Sequence, residues 1–285
     1  MKNSFRVLVV VLLALVVSNS ARGEMITTYS INSVTIKKLD KLIDKDTVVF
    51  VELDDVLVMP KSKMFYYGDN PYRLFINNLV TLAKENSSYL NQIAAWYQMR
   101  KIMLVEDGWQ DFINDLKKRK IPVYGFCTMP IQLQNIEQKR FSELKDLGIT
   151  FTDKINDKDV MEIGKKRDWS SVFYHGIIFT GPFSKSQTLM DFVKISNISP
   201  KKIIVFDKIK YELETMEKAF YRFRMDFYSI FYWGARQLTD MPDPNIVRLQ
   251  QQMLLEQGKW LEDNEAEALF KMLPKNNEQP KKDLK

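Results

Sequence analysis

One short segment constrains the fold of this chain more than any other. Val48-Val49-Phe50-Val51 runs directly into Glu52-Leu53-Asp54-Asp55, so an apolar stretch ends in a cluster of three carboxylates. A short apolar run rich in β-branched residues has the character of a strand buried on both faces, which in an α/β protein is a parallel strand. Open α/β sheets bind ligands beyond the carboxyl ends of their strands, so these acids stand where a site is built. Glu52 and Asp54 are two residues apart and share one face if the strand stays extended. An acidic pair at a strand tip suits a hard cation such as Mg²⁺, with a phosphate as its other ligand.

The rest of the chain repeats the motif of strand followed by helix. Helical spacing is expected over Ile31 to Ile43, Gly108 to Arg119, Gln134 to Leu147, Ser186 to Ile195 and Ile209 to Arg222. Strands are expected at Ile121 to Cys127, Gly176 to Phe179, Lys202 to Phe206 and Met225 to Trp233. This alternation predicts an α/β fold with a central parallel sheet flanked by helices. Residues 61–103 interrupt it with aromatic and helical patterns (Tyr72 to Ala83, Leu90 to Met103) and the turn Gly68-Asp-Asn-Pro71. A stretch of that length is too long for a loop and reads as a small helical insertion capping the strand tips. Pro242-Asp-Pro244 opens a polar, Gln-rich helix pair running to about Leu273. The expected organisation is therefore a signal peptide over 1–23, core over 24–60, the helical cap over 61–103, more core with C-terminal helices over 104–273, and a disordered tail over 274–285.

Composition narrows the function classes. Lys2 and Arg6, the apolar run Val7 to Val17 and the small residues before Gly23 have the form of a secretory signal. The expectation is an exported protein, periplasmic or secreted and bacterial, with no stable membrane insertion after cleavage. Removing residues 1–23 lowers the formal charge from +6 to +3, and no basic stripe interleaved with aromatics remains, so nucleic acid is not the expected partner. Cys127 is the single cysteine, which excludes an intrachain disulfide, and it sits in an apolar strand as a core residue rather than a nucleophile. With one Cys and one His, His175, a zinc cluster is excluded, and no P-loop or dinucleotide fingerprint is present.

Four points on this layout carry a resemblance. Glu52-Leu53-Asp54-Asp55-Val56 ends the first strand, Phe126-Cys127-Thr128 ends a second, Lys185 in Phe183-Ser184-Lys185-Ser186 opens a helix, and Val205-Phe206-Asp207 ends a third strand. In this order they resemble the motifs of the haloacid dehalogenase-like (HAD) phosphohydrolase superfamily, and the chain is similar to a group of exported bacterial HAD-like proteins. The resemblance covers Thr47 to Gln252 and implies a Rossmann-like HAD core. It further implies that Glu52 is the nucleophile forming an acyl-phosphate, that Asp54 protonates the leaving oxygen, and that Thr128 and Lys185 hold the phosphoryl group. Glu52, Asp54 and Asp207 would ligate Mg²⁺, and the ligand would be a small phosphorylated molecule.

The chain departs from that pattern twice. Glu52 replaces the Asp that serves as nucleophile in the family, moving the attacking oxygen by roughly 1 Å, a shift that can cost about a hundredfold in rate. Lys208 follows Asp207 where a second acid is common, placing a cation beside the expected metal. Two readings follow: an exported Mg²⁺-dependent phosphatase of reduced activity, or a degenerate HAD fold that binds a phosphorylated ligand or a protein partner without turnover.

Overall fold

The computed structural model describes residues 25–129, 135–166 and 169–273. The expected signal segment 1–23 and tail 274–285 lie outside the described residues. The chain folds as a mixed α/β protein around an eight-stranded sheet, and the architecture anticipated from the alternation of strands and helices is the one it adopts.

At the centre of the sheet lies β2 (Thr47–Glu52), between β5 (Val123–Cys127) and β9 (Lys202–Asp207), to both of which it is parallel. Beyond β9 come β10 (Asp226–Tyr232) and then β1 (Ile26–Thr28), again parallel. Beyond β5 comes parallel β8 (Ile177–Phe179), after which the direction alternates through β7 (Trp169–Tyr174) and β6 (Val160–Lys166). All six residues of β2 are buried, as expected of a strand covered on both faces.

Alternation along β2 splits the core into two layers. Val49 and Val51 pack with Trp109, Ile113 and Leu116 of α4 (Gly108–Lys118) and with Ile36 and Leu39 of α1 (Val34–Asp40), and Ile136 and Leu144 of α5 (Ile136–Asp146) belong to the same layer. Val48 and Phe50 point the other way, toward Leu189 and Phe192 of α6 (Lys185–Ile195) and Leu213 and Met216 of α7 (Lys210–Tyr221).

Two features were not foreseen. The β6–β7 hairpin makes one edge antiparallel, whereas the sequence led to an all-parallel sheet. Its β6 segment has three charged residues among seven, and Val160, its first residue, is exposed, so only Met161 and Ile163 mark an inward face. The turn joining β7 to β8 is His175-Gly176, with φ of 47° and 84°, which Gly176 adopts without steric penalty. The helix expected over Leu90 to Met103 also stops early. Arg100 turns extended at ψ 146°, and Ile102–Leu104 becomes β4, pairing with β3 (Val58–Pro60).

Between β3 and β4 lie α2 (Phe75–Leu82) and α3 (Tyr89–Met99), inside the stretch read as a helical insertion. The Gln-rich helix α8 (Pro244–Gln257) and the acidic α9 (Asp263–Met272) brace it. Phe65 lies 5.2 Å from Trp96 and 5.6 Å from Trp260, ring centre to ring centre. Ser62 Oγ donates to Asp263 Oδ1 at 2.6 Å, Lys63 N donates to Asp263 Oδ2 at 2.9 Å, and Lys101 N donates to Glu262 Oε1 at 2.8 Å. No helix among the described residues is long and apolar enough to cross a membrane.

Candidate active site

β2 ends at Glu52, which is only 2% exposed. A carboxylate so placed needs a cation, and the fold supplies Lys185 from the first turn of α6. Ser184 caps that helix by accepting from Gln187 N, fixing the point from which Lys185 reaches into the sheet. Its Nζ touches Glu52 Oε2 and lies 2.7 Å from Asp207 Oδ2 at the tip of β9. The second oxygen of Asp207 accepts from Ile209 N at 2.8 Å. Burial raises the Glu52 carboxyl, Lys185 opposes the rise and the charge of Asp207 adds to it, leaving the group pushed up to about 7. Burial works against the Lys185 ammonium, but Glu52 and Asp207 outweigh it and hold the proton on more tightly than usual.

After Leu53 the chain bends sharply, with Val58 N donating back to Leu53 O at 2.9 Å. The bend puts Asp55 in the left-handed region at φ 60°, which Asp tolerates better than most residues. Its Oδ2 accepts from Tyr67 Oη at 3.2 Å, from Arg73 Nη2 at 3.0 Å and from Lys208 Nζ at 3.0 Å. Lys208 also donates to the backbone oxygen of Asp54 at 2.8 Å. The Asp54 side chain turns to Arg140 of α5, with Nη2 2.7 Å from Oδ1. Burial raises the Asp54 carboxyl, yet Arg140 first, then Arg100, Lys208 and Lys185, bring it below the ordinary carboxylate range. Arg140 is fully buried; burial disfavours its charge, and Asp54 and Glu143 more than offset this.

Glu52, Asp54, Thr128 and Lys185, read from three separate stretches of sequence, line one cavity of about 430 Å³. Asp207 stands behind Lys185 and closes the set. Thr128, just past the end of β5, is exposed to the cavity. From the other side the insertion contributes Arg73, Trp96 and Arg100. Sequence reasoning missed Arg73, Arg100 and Arg140. An arginine in a helical insertion, or one three residues before a glutamate as Arg140 is, carries the signature of an ordinary solvated face, and nothing local marks it as buried.

The arrangement leaves Mg²⁺ no vacant set of donors. Among the described residues no group of three or more His, Cys, Asp or Glu side chains converges as a metal site. Glu52 and Asp207 both face Lys185, and the backbone oxygen of Asp54 is taken by Lys208. A divalent ion would have to displace both ammonium groups, so as arranged these residues do not fit it.

A family model described as a protein of unknown function, DUF2608, matches residues 28–267. The chain belongs to the DUF2608 family. It is 40% identical over 262 residues to the uncharacterized protein RP296 of Rickettsia prowazekii (strain Madrid E), a match spanning 91% of this chain and 96% of that one. Among solved structures it is similar to the class C acid phosphatase from Bacillus anthracis, at 11% identity and a TM-score of 0.33, over 85% of this chain and 86% of that one. A tungstate-bound structure of the class C acid phosphatase from that organism gives 12% identity and a TM-score of 0.31, over 71% and 75% of the two chains. Likeness at that level says nothing about chemistry, which has to be argued from the residues of the cavity.

Proposed function

We propose that this cavity binds a small phosphomonoester and hydrolyses it slowly, in the manner of a HAD-type phosphatase. The observation that carries the reading is the convergence of Glu52, Asp54, Thr128 and Lys185 on one cavity, with Asp207 behind Lys185. The parallel order β5-β2-β9 brings three strand tips side by side, and what the order alone does not require is that each tip carry a polar or acidic residue and that Lys185 reach two of them. In this reading a Glu52 oxygen attacks phosphorus, the ester P–O bond breaks, and the leaving oxygen takes a proton from Asp54. Water then gives a proton to Asp54 as it attacks phosphorus of the acyl-phosphate, and the bond from phosphorus to the Glu52 oxygen breaks, releasing inorganic phosphate and restoring both carboxyl groups. Lys185 and Lys208 supply the positive charge that offsets the phosphoryl oxygens, and the Thr128 hydroxyl donates to one of them. We place this activity outside the cytoplasm on the strength of the basic and apolar start of the chain, with a small phosphorylated molecule rather than nucleic acid as the partner.

One observation favours a second reading, binding without turnover. A general acid must hold a proton, and Arg140 keeps the Asp54 carboxyl ionised. The test is hydrolysis of an aryl phosphate by the intact protein, with and without Mg²⁺, against Glu52→Gln and Asp54→Asn. Slow turnover lost in both variants is the expected result. Phosphate binding with no turnover in any sample would establish the second reading, and neither binding nor turnover would overturn both.

A further inference from the structure

Around the cavity, the described basic side chains of the strand tips all have carboxylate partners: Lys185 meets Glu52 and Asp207, and Lys208 meets Asp55. Arg100, on the wall formed by the insertion, makes no direct ion pair with a carboxylate among the described residues, although it is only 4% exposed and lines the same cavity. Its guanidinium is held in place from one side, 4.4 Å over the Trp96 ring and 4.8 Å over that of Tyr97. Among the described residues its Nε and Nη2 have no acceptor, and neither have Trp96 Nε1 and Arg73 Nε on the same wall. All four are donors, and a buried donor without an acceptor is costly enough that native structures rarely keep one without a use. Burial and the nearby Arg140 both press on the Arg100 charge, and the more distant Asp54 and Glu143 offset this only in part, so a further anion is favoured there.

We propose that Arg100, with Trp96 and Arg73, forms a second anion-binding site on the insertion wall, so that the ligand is an organic phosphate carrying a further anionic group. The inference rests on the phosphate reading of the strand tips and adds the chemical class of the ligand to it. The guanidinium fork matches a carboxylate or a second phosphate with two parallel hydrogen bonds, which a neutral leaving group cannot accept. The aromatic rings behind it exclude water from that contact and strengthen it. Phosphate monoesters of neutral alcohols would leave the four donors unmatched.

Calorimetric titration of the intact protein with ethyl phosphate, phosphoglycolate and propanediol bisphosphate separates the two claims. The expected result is that one or both bifunctional probes bind at least about tenfold more tightly than ethyl phosphate, as a charge-assisted bidentate contact provides. A preference for phosphoglycolate alone identifies the second group as a carboxylate, and a preference for the bisphosphate alone identifies it as a phosphate. In Arg100→Met that preference falls to parity, and Arg100→Gln gives the same readout should the methionine variant fail to fold. Equal affinity for all three probes in the unaltered protein, or a preference that survives loss of Arg100, would overturn the second site while leaving the first intact. Failure of ethyl phosphate to bind would overturn the phosphate reading itself and this inference with it.

Discussion

The two walls of the cavity handle charge in opposite ways. On the strand-tip wall the buried charges are matched within the protein: Glu52 and Asp207 share Lys185, Asp54 meets Arg140, and Asp55 meets Arg73 and Lys208. On the insertion wall Arg100 is buried against aromatic rings with donors left over. A wall that satisfies itself is stable when empty and must open its contacts to do chemistry. A wall with unmatched donors gains from being filled. On the proposed reading the strand tips serve reaction and the insertion serves selection of the ligand.

The largest expected effect comes from breaking the matched wall. Lys185→Ala strands two buried carboxylates and should cost about 3–5 kcal/mol of stability, read by denaturant unfolding. A loss under about 1 kcal/mol would mean that water already reaches Glu52 and Asp207. Next comes chemistry: Glu52→Asp should raise aryl phosphate turnover by up to about a hundredfold if the extra methylene misplaces the attacking oxygen. No gain in that variant would remove Glu52 as the impaired element. A smaller effect is expected where α9 holds the insertion in place. Asp263→Ala removes acceptors from Ser62, Lys63 and Gln250 and should cost about 1–3 kcal/mol, with weaker ligand binding because the insertion wall loosens. Unchanged binding in this variant would detach the brace from the site. Lys208→Asp exchanges a cation for a carboxylate and should create measurable Mg²⁺ binding by calorimetry, where the unaltered protein shows little. The mildest effect is on pH. Attack requires Glu52 ionised, which burial postpones to about 7, and departure requires a proton on Asp54, which Arg140 disfavours, so turnover should be level below about 7 and fall as pH rises above it; turnover that climbs through 7 and stays high would mean that Asp54 gives up no proton.

These outcomes also bear on what the sequence discloses. The strand-tip wall was legible because apolar strands announce themselves and their terminal residues are fixed by sequence position. Glu52, Thr128 and Asp207 could be placed as soon as β2, β5 and β9 were found, and Lys185 as soon as α6 had a start. The insertion wall was not legible. Arg100 ends α3 at a helix-to-strand change that the apolar pattern of Leu90 to Met103 conceals, and its burial depends on Trp96, Tyr97 and the braces from α8 and α9. Arg140 is hidden for the same reason: its partner, Asp54, is 86 residues away in sequence. The β6–β7 hairpin was not legible because only Met161 and Ile163 of β6 face the core, too short a run for an alternating pattern to stand out. Local pattern carries elements and their ends, whereas charge pairing across the cavity is a product of the tertiary fold.

The central claim is that the protein's own cations hold a phosphate at the strand tips. Calorimetric titration of inorganic phosphate into the intact protein in EDTA, alongside Lys208→Ala, tests it most directly. The account requires binding without added metal, weakened at least about tenfold when this charge-assisted contact is removed. Binding that appears only when Mg²⁺ is supplied, or that ignores the loss of Lys208, would contradict it.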